Sequence, residues 1–214
     1  MRRAGFVLDL GRCVGCSACV LACRLEHGWP ADAPRRRVIA LNESRHPGGP
    51  TYFLSLACHH CERPACVSAC PSGALERRAD GLVLHREALC LGCRYCEMAC
   101  PFGAPRFDRA RGVMAKCDFC RARVDEGEMP VCVRACPTEA LRTMPRSDDA
   151  EDQADPAAAE TGTAAAETIP GFEDPADCRP SLRFTLPRGI RGRRLNHLLN
   201  AMRQMASRGR DAND

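Results

Sequence analysis

At 214 residues, with seventeen cysteines and a formal charge of +4, the chain is sized for one compact domain or two small ones, and its cysteines set the fold. Behind Arg2 and Arg3 the apolar run Phe6-Val7-Leu8 follows at once and is far too short for a signal-peptide core, which argues against a small secreted disulfide scaffold. No stretch approaches the roughly 18 to 20 apolar residues that span a bilayer, so no direct membrane span is expected.

In chain order, the N-terminus leads into a first strand and then a group of cysteines, Cys13, Cys16, Cys19 and Cys23, with gaps of two, two and three residues. Val38 to Leu41 and Tyr52 to Leu56 are strand candidates in the insertion that follows. The second group is Cys58, Cys61, Cys66 and Cys70, its middle gap widened to four. Ala74 to Arg77 and Leu82 to His85 flank Ala79-Asp80-Gly81, and Asp-Gly between two such runs predicts a hairpin. The third group, Cys90, Cys93, Cys96 and Cys100, repeats the spacing of the first, and the fourth, Cys117, Cys120, Cys132 and Cys136, has a middle gap of eleven.

Cys-Pro recurs at the end of groups two, three and four, as in Cys70-Pro71-Ser72-Gly73-Ala74-Leu75 and Cys136-Pro137-Thr138-Glu139-Ala140-Leu141, so each repeat reads as a ligand loop, a short helix and a short strand. The proline is expected to begin a helix that carries the fourth cysteine away. From Pro145 to Pro180 the composition turns acidic and alanine-rich, with ten acidic side chains against Arg146 and Arg179, and predicts a disordered linker. Residues 181–214 turn basic, and Leu195, Leu198, Leu199, Met202 and Met205 fall at the spacing of a short amphipathic helix. Cys178 has no partner spacing and reads as an exposed bystander thiol.

The spacing of groups one and three is the bacterial ferredoxin run: three thiolates close on one cube and the fourth reaches another. Longer gaps in groups two and four only enlarge a surface excursion between two ligands. Cys117-x2-Cys120 with Cys132-x3-Cys136 would pass alone for a structural zinc site, but zinc ribbons use pairs of cysteines, and the triplets here point to iron-sulfur cubes. Every group is complete, so no iron is left open for a substrate, and no catalytic constellation accompanies them. The chain therefore reads as a non-catalytic carrier of four [4Fe-4S] clusters. Each oxidised cube with its thiolates carries about −2, so four change +4 into about −4. The basic excess is then internal counter-charge, and a nucleic-acid partner is not expected. His59, His60, Arg94 and Tyr95 lie between ligands, the histidines as hydrogen-bonding neighbours of the cluster and the other two as similar neighbours or contacts for a partner. Lys116, the one lysine, carries no mechanistic weight in this reading.

The order of gaps, with Cys58-His59-His60-Cys61 and Leu91-Gly92-Cys93-Arg94-Tyr95-Cys96-Glu97-Met98-Ala99-Cys100-Pro101-Phe102-Gly103-Ala104-Pro105, resembles the four-cluster iron-sulfur subunits of complex molybdoenzymes, such as that of dimethyl sulfoxide reductase, over residues 4 to about 144. The resemblance implies an α+β fold of two bacterial-ferredoxin-like modules, one inserted in the other. It implies four cubes in a row, on Cys13, Cys16, Cys19 with Cys136; Cys117, Cys120, Cys132 with Cys23; Cys58, Cys61, Cys66 with Cys100; and Cys90, Cys93, Cys96 with Cys70. Composition divides the chain into 1–144 for the clusters, 145–180 for the linker, which departs from that family, and 181–214 for the extension. The implied partners are a molybdopterin-containing catalytic subunit, toward the cluster on Cys13, Cys16 and Cys19, and an integral membrane quinol-linked subunit. Membrane association would come through those partners, on either side of the membrane. The alternative is a polyferredoxin serving a formate dehydrogenase, hydrogenase or carbon monoxide dehydrogenase.

Overall fold

The computed structural model describes residues 4–30, 32–41, 51–144, 164–166 (backbone only) and 177–187. Strand β1 (Phe6–Asp9) enters the first cysteine loop, and helix α1 (Ala18–His27) carries Cys19 and Cys23 on its buried side. This helix ends at Gly28, whose positive φ of 64° lets its N–H cap the Arg24 carbonyl. Strands β2 (Arg37–Leu41) and β3 (Tyr52–Leu56) form the antiparallel pair expected in the insertion. After helix α2 (Ala65–Ser68) come β4 (Leu75–Arg77) and β5 (Val83–His85), paired around Asp80-Gly81 as the Asp-Gly signal predicts. Helix α3 (Tyr95–Ala99) precedes a second hairpin, β6 (Arg106–Asp108) with β7 (Val113–Ala115); the Asp108 carboxylate accepts the Ala110 and Arg111 amides and so shapes its turn. Helices α4 (Arg121–Asp125) and α5 (Val131–Arg134) lead to β8 (Leu141–Thr143).

The helices sit earlier than the Cys-Pro pattern suggests. α2, α3 and α5 hold the third cysteine of their groups and end before or at the fourth, while Pro71, Pro101 and Pro137 stand in turns outside any helix. The prolines that start helices are Pro64 and Pro130, whose φ of −74° and −53° is already helical while the missing N–H is one that a first turn leaves unpaired anyway.

The last two strands, β9 (Ala164–Ala166) and β10 (Leu182–Leu186), complete a four-stranded sheet of order β8-β1-β10-β9. β1 runs parallel to β10 and antiparallel to β8, with Phe6 opposite both Leu182 and Thr143. The sheet thus runs across the expected division at residues 145 and 181. The chain returns to its own first strand because Leu182 and Phe184 alternate with exposed Arg183 and enter the main core beside Phe6, Leu8, Leu54, Leu82 and Phe119. β9 likewise falls inside the expected linker. Residues 145–163 and 167–176 of that linker and the predicted helix around Leu195 to Met205 lie outside the described residues. A smaller core of Leu75, Val83 and Met114 gathers around Cys66 and Cys96.

Candidate metal centres

Each of the four groups opens with Cys-x-x-Cys, and in all four the residue just before the second cysteine has a left-handed backbone: Gly15 (φ 71°), His60 (45°), Gly92 (65°) and Phe119 (64°). That shared bend brings two thiols two residues apart onto one side of the loop. Glycine takes it without strain, whereas His60 and Phe119 are held there by the core, His60 edge-on to Phe119 at 5.4 Å between ring centres and Phe119 against Phe6 at 4.6 Å. A methyl group at Gly15 would overlap the Phe53 ring. Gly15→Ala is therefore expected to destabilise the chain by about 1–3 kcal/mol, through overpacking and the unfavourable φ together, as a lowered midpoint in denaturant checks.

The cysteines converge in sets that cross the order of the sequence. Burial is the first cause that pushes most of these thiols up, to about 12 for Cys23 and Cys96 and about 11 for Cys120; among the further causes, the neighbouring thiols identify each set. Cys13 meets Cys19, Cys136 and Cys16; Cys23 meets Cys132 and Cys120, and Cys117 meets both Cys23 and Cys132. Cys61 meets Cys58, Cys100 and Cys66, and Cys96 meets Cys90, Cys70 and Cys93. Two of the sets line recesses: Cys13, Cys16, Cys19 and Cys136 one of about 320 Å³, and Cys70, Cys90, Cys93 and Cys96 one of about 280 Å³, both partly open to solvent.

The sets also form a row. Cys19 senses Cys132, joining the first set to the second; Cys117 senses Cys58, joining the second to the third; Cys66 senses Cys96, joining the third to the fourth. The two end sets reach the surface. Cys16 is exposed, as are Val14, Leu21 and Leu25 in the same loop and helix, and Cys93 is exposed, as are Leu89, Leu91, Tyr95 and Met98 around it in the sequence.

Four thiols per set is the donor complement of an iron-sulfur cube, and the surrounding groups suit thiolates. The amides of Ala104, Met114 and Phe119 point at the sulfurs of Cys100, Cys90 and Cys117, at 3.4 to 3.5 Å. Burial works against ionisation of Cys70 and Cys136, yet the Ser72 and Thr138 hydroxyls and nearby backbone amides outweigh it and hold both thiols below their usual value.

Arg36 and Lys116 are buried and Arg35 and Arg37 half-buried, and all four lie close to the cysteine sets. The run Arg35-Arg36-Arg37 is split three ways: Arg35 stacks on Trp29 at 3.6 Å from the ring centre and pairs with Asp118, Arg36 enters the core, and Arg37 donates to the Phe102 and Gly103 carbonyls near Cys100. Lys116, given no weight from the sequence, is buried, with its ammonium donating to the carbonyls of Val83 and Cys117 and its charge acting on Cys66.

The residues between ligands are placed more narrowly than their spacing suggests. His60 Nδ1 accepts the Val83 amide at 3.0 Å, so that nitrogen serves the β5 backbone. His59 lies against Phe102, and burial, with Arg36 and Arg37 adding to it, holds its imidazole down to about 3, hence neutral. Arg94 pairs with Glu97, and Tyr95 is half exposed at 52 %. Cys178, expected at the surface, is 1 % exposed and is corrected to a buried thiol beside Cys61 and Cys100. The Arg63 and Glu62 amides donate to the Cys178 and Arg179 carbonyls, and the Ser181 amide to that of His59, which lays this segment along the second ligand loop.

Two models of 4Fe-4S dicluster domains match the chain, over residues 12–74 and 50–146. The B subunit of anaerobic dimethyl sulfoxide reductase from Escherichia coli (strain K12) is 45 % identical over 145 residues, 64 % of this chain and 71 % of that protein. The formate dehydrogenase iron-sulfur subunit of Wolinella succinogenes is 40 % identical over 161 residues (65 % and 80 %), and the thiosulfate reductase electron transfer subunit PhsB of Salmonella typhi 38 % over 148 (68 % and 77 %). Two dicluster domains bring four [4Fe-4S] clusters, and with this similarity the chain belongs to the four-cluster iron-sulfur electron-transfer subunits of complex molybdoenzymes.

Proposed function

We propose that the chain relays electrons between a quinol-linked integral membrane subunit and a molybdopterin catalytic subunit, as part of a dimethyl sulfoxide reductase-like anaerobic respiratory complex. The row of four cysteine sets with exposed apolar ends carries this reading, because a relay needs buried middle stations and a docking face at each end. The ligands proposed are Cys13, Cys16, Cys19 with Cys136; Cys23, Cys117, Cys120 with Cys132; Cys58, Cys61, Cys66 with Cys100; and Cys70, Cys90, Cys93 with Cys96. When bound, the clusters supply reversible one-electron chemistry. The protein's own part is to exclude water from the inner sulfurs, to balance their charge with Arg35, Arg36, Arg37 and Lys116, and to present Cys16 and Cys93 to partners.

We assign the face of Val14, Leu21 and Leu25 to the catalytic subunit and that of Leu89, Leu91, Tyr95 and Met98 to the membrane subunit. No helix among the described residues is long and apolar enough to cross a membrane, so attachment through the partner is the route this reading takes. The arrangement proposed for the fold is one module inserted in another: hairpins β4-β5 and β6-β7 close locally with sets three and four, while β1 and β8 bring the outer cysteines together from both sides of them.

Similarity to the Wolinella succinogenes subunit favours one second reading, a polyferredoxin-type subunit serving a formate dehydrogenase. The deciding experiment is metal analysis of the complex purified anaerobically through a tag on this chain, with dye-linked assays on dimethyl sulfoxide, thiosulfate and formate. About sixteen irons per chain with molybdenum co-eluting and dimethyl sulfoxide reduced is the expected result. Formate oxidation in its place would select the second reading, and zinc in place of iron would overturn both.

A further inference from the structure

The Arg36 guanidinium is 2 % exposed and lies over the Phe6 ring at 4.5 Å, yet no carboxylate pairs with it among the described residues. A buried unpaired cation is strongly unfavourable, so some other negative charge must compensate it. Its Nη1 donates to the Ser55 hydroxyl oxygen at 2.9 Å, and that same oxygen is 3.4 Å from Cys19 Sγ, all three groups being buried. Its Nη2 has no protein partner among the described residues. Guanidinium only donates and a ligating thiolate only accepts, which leaves the Ser55 hydrogen one direction to point, toward Cys19 Sγ.

We propose that Arg36 and Ser55 form a built-in charge relay that sets the reduction potentials of the first two clusters in the row, Arg36 acting on both and Ser55 on the first alone. This rests on the reading that Cys19 ligates the first cluster and Cys23, Cys117 and Cys132 the second. Besides Cys19, reached through Ser55, the guanidinium lies within electrostatic range of Cys132, Cys117 and Cys23, so it faces two adjacent sets. A cube with its thiolates passes from about −2 to about −3 on reduction, so a fixed buried cation and a hydroxyl donor both favour the reduced form and raise the potential. Removing either group must lower it.

The test is a potentiometric titration, followed by electron paramagnetic resonance, of the intact complex carrying Arg36→Gln, Arg36→Lys or Ser55→Ala, with iron counted in each sample. In Arg36→Gln two of the four midpoints are expected to fall, each by at least tenfold in the reduction equilibrium, which is 59 mV for one electron. In Ser55→Ala one of those same two falls and the other three hold. Arg36→Lys keeps the charge and stays nearer the parent. If Arg36→Gln loses iron, the Ser55→Ala and Arg36→Lys pair decides alone. Four midpoints unchanged in Ser55→Ala, or shifted equally in every variant, would overturn the relay. An iron content below about sixteen in the parent complex would instead refute the ligand reading beneath it.

Discussion

In a Cys93→Ser variant, quinol-driven turnover is expected to fall to background while an artificial dye that reduces the catalytic subunit directly still supports full activity. Cys93 lies in an end set and is exposed, and in the proposed reading the cluster it would bind is the entry point for electrons arriving from the membrane side. Serine offers a harder oxygen on a shorter reach, and its loop cannot adjust: Gly92 is in a left-handed conformation with the Gly112 carbonyl 2.5 Å from where a side chain would begin. The loss should exceed the roughly 100-fold that removing an outer hydrogen-bond partner of a metal ligand costs. Comparing quinol-driven with dye-driven rates separates a broken relay from a misassembled complex. Quinol-driven activity that survived would sink the relay.

Stripping the iron is expected to unfold the chain, not to leave an empty but folded scaffold. The helices other than α1 are four or five residues long and the hairpins β4-β5 and β6-β7 have three-residue strands, lengths that are marginal in isolation. Four of the eighteen residues buried in the main core are cysteines, Cys19, Cys58, Cys117 and Cys132, with Cys13 and Cys136 packed against it, and their sulfurs are useful packing only when something ties them together. Binding energy at such sites is folding energy. The check is a thiol titration without denaturant beside a thermal melt. The holoprotein should melt cooperatively and yield no rapidly reacting thiol, since Cys178 is buried, while the chelated chain should expose all seventeen and lose the transition. A stripped chain that still melted cooperatively would show that the apolar core suffices.

The four cysteine groups were legible because ligand spacing is a local property, and the Asp80-Gly81 hairpin because its turn chemistry is equally local. What escaped was set by distant partners. His60 and Phe119 take a backbone conformation that glycine marks openly in the other two loops, held there by their mutual packing, by Phe6 and by the Val83 amide. Net charge foretold internal counter-ions but not that three adjacent arginines would go to three different places, nor that Lys116 would be among them. The alternation Leu182, Phe184, Leu186 is a strand signal, yet those five residues read as the start of the basic extension; pairing with β1 is what makes them a strand. The same return of the chain buries Cys178.

The pairing of β1 with β8 and β10 has a consequence for biosynthesis. The hairpins β4-β5 and β6-β7 close within residues 75 to 115, so the middle of the molecule has its strand partners while the ribosome is still adding the second half. The first strand, made earliest, waits for Leu141 to Thr143 and then Leu182 to Leu186 before its edges are covered. Until then Phe6 and Leu8 need shelter, and cysteines near the start of the chain stand apart from those near residue 136. Maturation should therefore proceed from the centre outward, and a ribosome stalled after Ala115 has left its exit tunnel but before Leu141 has would display a closed inner half beside an open outer one.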